Sequence, residues 1–233
     1  MPLTHEDFAR RVRAWEEAVQ AQGAVPAEHY DDEYFTADWR EDDNRYDLDT
    51  RRRIEDRNPA LIKEVFKPTK VLDVGCGPGF LMYFLHELGV AVDGVDFSPR
   101  IRELAPPEVR ENIIVAPVTS PQVPSASYDL VICREVMEHL TVVQVQKTVQ
   151  TICDASSRFV YLTTRFHPEP EDLLDFTTQF EVDPSHITLL NKELLRAMFV
   201  LQGFKSRPDL EERMDWGGKN RVIVAERTEA ANA

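Results

Sequence analysis

One stretch limits what this chain can become: Val71-Leu72-Asp73-Val74-Gly75-Cys76-Gly77-Pro78-Gly79-Phe80. Its opening has little two-residue alternation, as expected of a strand covered on both faces in a parallel sheet. That strand runs into a turn with glycines at three alternate positions, and a helical segment follows. Glycines let the backbone take positive φ and let a ligand come close, while the helix start offers unpaired N–H groups. In open α/β sheets such a turn lies at the carboxyl end of a strand, where ligands bind. Two nucleotide loops are excluded. The dinucleotide fingerprint needs a small residue where this chain has Phe80 or Met82, which removes a nicotinamide-dependent oxidoreductase, and no Gly-Lys-Ser/Thr follows to make a P-loop.

The rest of the chain fits around that unit. Strand-like runs are expected at 70–74, 90–95, 112–116, 128–133, 158–163 and 219–226, with helices near 79–88, 99–105, 141–153 and 191–202. This alternation predicts βαβ units in a three-layer α/β domain over residues 51–227. Arg51 to Phe66 reads as one helix stopped by Pro68. Ahead of it lies an extension, residues 1–50. Residues 4–22 read as an amphipathic helix, with Thr4 and Asp7 as a capping box and Phe8, Val12, Trp15 and Val19 on one face. Residues 28–50 carry ten acids against two arginines, interleaved with Tyr30, Tyr34, Phe35, Trp39 and Tyr46. That mixture makes no core of its own, so it is either a surface meander or a lid closing over a ligand. Residues 228–233 are expected to fray.

Composition removes several function classes. Lysine plus arginine number 27 and aspartate plus glutamate 41, a net charge of −14 that repels polynucleotides and anionic membranes. No apolar run is long enough to span a bilayer, and the start MPLTHEDFARRV lacks a secretory apolar stretch. Cys76, Cys133 and Cys153 share no CxxC spacing, which fits a reducing cytoplasm and disfavours a thiolate metal site.

A second acid points to a ribose. In Val90-Ala91-Val92-Asp93-Gly94-Val95-Asp96-Phe97-Ser98-Pro99, Asp96 falls at the strand's carboxyl tip, 21 residues after Gly75. A carboxylate there can accept hydrogen bonds from both ribose hydroxyls, and Phe97 can lie against an adenine face. Asp93, earlier in the strand, is the rival.

Together, VLDVGCGPGF, VDGVDFSP and YDLVICREVMEHL resemble the first, second and fourth motifs of class I S-adenosylmethionine-dependent methyltransferases. The resemblance spans roughly residues 60 to 226. It implies a Rossmann-like seven-stranded, mainly parallel sheet with the last strand antiparallel, the final pair supplied by Phe204–Leu210 and Arg221–Glu226. It implies S-adenosyl-L-methionine as cofactor and S-adenosyl-L-homocysteine as product. Gly75, Gly77 and Gly79 would flank the methionine part, Asp73 would support that site, Asp96 would hold the ribose, and Arg134 would join the same set. Where the family often has an acid after the third strand, this chain has Thr119, so adenine is expected to meet Thr119, backbone groups or N-terminal aromatics.

The fourth strand ends in Arg134-Glu135-Val136-Met137-Glu138-His139-Leu140, which should face the transferred methyl group. His139 is the candidate base, with a substrate-orienting or purely structural role as alternatives. Small-RNA 2′-O-methyltransferases resemble this segment in having Glu-x-x-Glu-His, and there the motif holds a divalent ion. Glu135, Glu138 and His139, with His167 or His186, therefore admit a metal reading. Two carboxylates near a helix start more often cap and pair, and the charge argues against RNA, so no metal is expected. Ser185-His186 and the following helix ending in Gly203-Phe204 resemble members acting on small metabolites, such as the ubiquinone O-methyltransferases. Residues 164–190 would then cap the acceptor, lined by Arg165, His167 and His186, with Tyr30, Tyr34 and Glu135 as further acceptor contacts and Phe166, Phe176 and Phe180 as cap core. The expected function is methyl transfer to a small molecule, at a hydroxyl first and at an amine or amino sugar as the alternative, by a monomer or homodimer. A macromolecule methyltransferase and a non-catalytic S-adenosylmethionine-binding protein are the remaining readings.

Overall fold

The computed structural model describes residues 4–36, 45–167, 174–175, 183 and 185–228. Trp39, Phe176 and Phe180, parts of the acidic segment and of the 164–190 segment, and the chain's last residues lie outside them.

The central sheet holds seven strands in the order β3-β2-β1-β4-β5-β9-β8. These are β1 (Lys70–Val74), β2 (Ala91–Asp96), β3 (Ile113–Val115), β4 (Tyr128–Arg134), β5 (Ser156–Thr163), β8 (Phe204–Ser206) and β9 (Val222–Arg227), and a separate two-stranded ladder pairs β6 (Leu174–Asp175) with β7 (Leu189–Leu190). β1 pairs in parallel with β2 on one side and β4 on the other, and β9 runs antiparallel to both β5 and β8. The order reverses beside β1, and that switch point opens a crevice at its carboxyl end.

The lack of alternation in β1 has a direct cause. Val71 packs into one core, and Leu72 and Val74 into the core on the opposite face. Along β4, Leu130 and Ile132 face one layer while Val131 and Cys133 face the other. Both faces are covered, so both sets of residues are apolar. Helices α3 (Leu48–Glu55), α4 (Asn58–Phe66), α5 (Phe80–Glu87) and α10 (Pro208–Met214) stand with the first layer; α8 (Val142–Ala155) and α9 (Lys192–Leu201) cover the other.

Three expectations are corrected, each by proline or a left-handed turn. The single helix over 51–66 is two, because Asp56 takes φ +45° and Pro59 starts α4 afresh. The helix near 99–105 is only α6 (Ile101–Leu104), and Pro106-Pro107 opens a separate turn, α7 (Pro107–Arg110). β8 stops at Ser206 because Pro208 begins α10.

The N-terminal helix α1 (His5–Ala21) carries the expected Thr4–Asp7 capping box. Its C-cap, Gln22, donates from Nε2 to the Ile187 carbonyl at 2.9 Å and to Thr188 Oγ1 at 2.8 Å, and its Oε1 accepts from the Val142 N–H at 2.9 Å. Further on, Ser98 Oγ donates to the Tyr30 carbonyl at 2.6 Å. The extension is thereby tied across the carboxyl end of the sheet, and Tyr30, Tyr34 (in α2, Asp32–Thr36) and Phe35 are buried there. Among the described residues no helix is long and apolar enough to cross a membrane.

Candidate functional site

The glycine turn leaves β1 with positive φ at Gly75, Gly77 and Gly79. Gly75 has no room for anything larger, since a Cβ there would come within 2.3 Å of Val136 Cγ2. At Gly77 a Cβ would meet only ordinary contacts, 4.0 Å from the nearest ring atoms of Phe35 and Tyr46. That is the close backbone approach a bound ligand requires. Asp96 closes the loop from the neighbouring strand: its Oδ2 accepts the Gly77 N–H at 3.0 Å and its Oδ1 the Ser98 N–H at 2.9 Å. Burial raises the Asp96 carboxyl above its ordinary range, against those backbone donors. The rival acid, Asp93, is engaged elsewhere, by the Tyr128 hydroxyl at 2.9 Å and Lys70 Nζ at 3.1 Å.

A half-open cavity lies over this loop. Gly75, Gly77, Asp96, Phe97 and Thr119 line one end, with Pro117 and Val118. His139, Glu135, Val136, Leu140 and Gln144 line the other, and Val25, Tyr30, Tyr34, Phe35 and Tyr46 form the side given by the extension. The aromatic side is a connected set: Tyr30–Phe97 centroids are 5.3 Å apart, Tyr34–Phe35 5.1 Å and Phe35–Tyr46 5.1 Å, with the Arg51 guanidinium 3.6 Å over Tyr46. The charged lining is Asp96 and Glu135 with the His139 imidazole; no lysine or arginine is among the described lining residues. Such a wall favours a cationic ligand.

Six sequence-named residues stand off the cavity lining. Asp73 lies buried beneath the turn, its carboxyl pushed up to about 7 by burial against the opposing pull of Arg134. Gly79 starts α5, and a Cβ there would touch Met82 and Ile113 at 3.4 Å rather than the cavity. Arg134 is half-buried and pairs with Glu55 at 2.7 Å. Arg165 and His167 flank Phe166, which bridges to Leu190, and the His167 N–H donates to the Leu190 carbonyl at 2.9 Å. His186 is buried behind His139, with ring centroids 4.6 Å apart.

His139 sits in a one-turn 3₁₀ segment, Met137–His139, and its Nδ1 lies 2.8 Å from Ser185 Oγ. Ser185 Oγ in turn lies 2.5 Å from Asp183 Oδ1, and Tyr34 donates its hydroxyl to Asp183 Oδ2 at 3.0 Å. His139, Asp183 and His186 each offer a ligating atom within 4.8 Å of the others, a spacing a cation could bridge. The Glu135–Glu138–His139 set is not the one gathered: Glu138 is buried and accepts from Thr164 Oγ1 at 2.7 Å, and Glu135 faces Arg221 at 3.7 Å. Asp183, Ser185 and Gln144 were missed by sequence reasoning. Gln144 was detectable as the partner of Thr141 in the capping box that opens α8. Asp183 had only its Asp-x-Ser spacing to show.

A family model described as a methyltransferase domain matches residues 46–207, more than half of the chain. The mitochondrial ubiquinone biosynthesis O-methyltransferase of Schizosaccharomyces pombe is 35% identical over 86 residues, 34% of this chain and 31% of that protein. The match thus spans about a third of the curated relative's length. Among solved structures, an S-adenosylmethionine-dependent methyltransferase from Archaeoglobus fulgidus superposes with a TM-score of 0.58 at 16% identity, covering 76% of this chain and 94% of that one. Magnesium protoporphyrin IX methyltransferase from Synechocystis PCC 6803, with its methyl donor bound, gives a TM-score of 0.58 at 17% identity and covers 89% and 100%.

Proposed function

The chain belongs to the class I S-adenosylmethionine-dependent methyltransferases, and from that premise we propose that it methylates a hydroxyl group of a small molecule enclosed in the aromatic cavity. The observation that carries this reading is that the His139 imidazole lines the same cavity as the glycine turn and Asp96. A group able to take a proton and a nucleotide cradle thus share one enclosed space.

The residues fit the cofactor. Gly77 presents bare backbone beneath Phe35 and Tyr46, and the buried Asp96 carboxyl, held by two N–H donors, would accept from the ribose hydroxyls. Phe97 and Thr119 would meet the adenine. When bound, S-adenosylmethionine supplies a methyl group made electrophilic by the sulfonium. The protein's part is to exclude water with the aromatic side, to align the acceptor oxygen, and to receive its proton at His139. Asp96 and Glu135 favour a positively charged donor over its neutral product. A cavity closed by Tyr30, Tyr34 and Phe35 suits a small acceptor rather than a polymer, as does the net charge of −14. The local likeness to a ubiquinone biosynthesis O-methyltransferase supports the choice of oxygen.

One observation favours nitrogen instead: with carboxylates and no lysine or arginine among the described lining residues, the cavity also suits a protonated amine. Incubation with isotopically labelled S-adenosylmethionine and matched panels of phenols, catechols, sugars, amines and amino sugars decides between them. O-methylated products that disappear in His139→Ala support the proposal; products formed only on amines refute it.

A further inference from the structure

The network behind His139 has a consequence for which of its nitrogens carries the proton. Ser185 has one hydroxyl hydrogen, and Asp183 Oδ1 at 2.5 Å and His139 Nδ1 at 2.8 Å compete for it, with the Tyr30 hydroxyl also beside it. An ionised carboxylate can only accept. Although burial pushes the Asp183 carboxyl up, hydrogen bonds from Ser185 and the nearby His139 and His186 outweigh it and hold the group below its ordinary range. The Ser185 backbone N–H adds a further bond to the same oxygen, at 2.9 Å. The hydroxyl hydrogen therefore lies between Ser185 and Asp183. What Ser185 offers to His139 is a lone pair, so the hydrogen in the 2.8 Å contact must come from Nδ1.

We propose that Asp183 and Ser185 are positioning residues that hold His139 as its Nδ1–H tautomer, making Nε2 the proton-accepting atom of the site. The inference deepens the O-methylation reading and rests on it for its catalytic meaning. An acceptor O–H bond breaks as an Nε2–H bond forms, the electron pair stays on oxygen, and the resulting imidazolium is balanced through Ser185 by the Asp183 carboxylate. A third group that orients the base is the general logic of such arrangements. The network is braced on both sides. Ile187 and Thr188 N–H groups donate to the Glu138 carbonyl at 2.8 and 3.2 Å, Thr188 Oγ1 donates to the Leu140 carbonyl at 2.6 Å, and Tyr34 holds the other Asp183 oxygen. Among the described residues, the groups packed around His139 include the Tyr30 ring (5.8 Å), the His186 ring (4.6 Å) and, on its own turn, Glu135 and Glu138. Burial pushes the Tyr30 phenol and the Glu138 carboxyl well above their ordinary ranges, and Asp183, joined to His139 through Ser185, is the carboxylate that the hydrogen-bond network sets against a charge on the imidazole.

Long-range ¹H–¹⁵N correlation of the imidazoles in full-length protein saturated with S-adenosylhomocysteine tests this without any acceptor, His139 being assigned by loss of its signals in His139→Gln. The expected spectrum shows neutral His139 protonated at Nδ1 and bare at Nε2. Ser185→Ala should mix the tautomers, and Ser185→Thr should restore the wild-type pattern. An Nε2–H tautomer in the wild type, which needs no variant to fold, overturns the proposal, as does an unchanged spectrum in folded Ser185→Ala. Stoichiometric perturbation of the His139 and His186 signals by micromolar Zn²⁺ or Mn²⁺ overturns it too, by making the cluster a cation site. Once an acceptor is known, Ser185→Ala should lower kcat by about 10-fold or more with KM little changed. If the tautomer is as expected but His139→Ala retains full turnover, the base role given to His139 in the proposed function fails and the tautomer assignment stands.

Discussion

The two ends of the cavity are built in opposite ways. The nucleotide end comes mainly from one strand–turn–helix and the tip of the next strand, Val71 to Phe97, with Pro117 to Thr119 added after the third strand, and its polar contacts form between near neighbours such as Gly77 and Asp96. The acceptor end joins segments far apart in the chain: His139 to Ser185 across 46 residues, Tyr34 to Asp183 across 149, and Gln22 to Thr188 across 166. A locally encoded half suits a cofactor common to many reactions. A half assembled over distance can be altered piece by piece, and acceptor selectivity lives in such side chains.

The comparison breaks most sharply at the turn. Gly75→Ala places a methyl group 2.3 Å from Val136 Cγ2 on backbone with φ +75°, and should cost about 3 kcal/mol of folding stability as well as cofactor binding. Denaturant titration measures it, and wild-type stability would mean the turn can relax. Next, Asp96→Ala should weaken S-adenosylhomocysteine binding by roughly 2 kcal/mol, about 30-fold, in calorimetry. Unchanged affinity in a folded variant would remove the ribose assignment.

Asp73 sharpens the comparison through pH. Its folded-state carboxyl, near 7, lies above the unfolded value of 3.8, so the native state binds more protons and stability falls as pH rises between those values. Asp73→Asn lacks this loss. Relative to wild type it should therefore gain about 2 kcal/mol between pH 5 and pH 7 in unfolding experiments, with no further gain well above pH 7. A difference independent of pH would contradict the neutral buried carboxyl. The smallest effect belongs to the far end: Tyr34→Phe deletes one hydrogen bond to Asp183 and should lower stability by about 1 kcal/mol while leaving cofactor affinity unchanged. A large loss of cofactor binding in that variant would show that the two ends are not separable.

Legibility followed the same division. The turn, the position of Asp96 and the α/β alternation were readable because their signals are short-range: glycines where φ is positive, apolar runs where both faces are covered, a capping threonine where the first helix starts. The pairing of Arg134, at the end of β4, was not legible, because its partner, Glu55, lies 79 residues earlier. The aromatics of the extension were visible as a composition, and their destination was not. Val71, Gly75, Gly77 and Asp96 were determined by sequence alone, since local backbone preference and burial pattern dictate their geometry. Which residue stands behind His139 was decided only by tertiary structure, because a hydrogen bond between two loops depends on where the sheet delivers their ends, and no local propensity encodes that meeting.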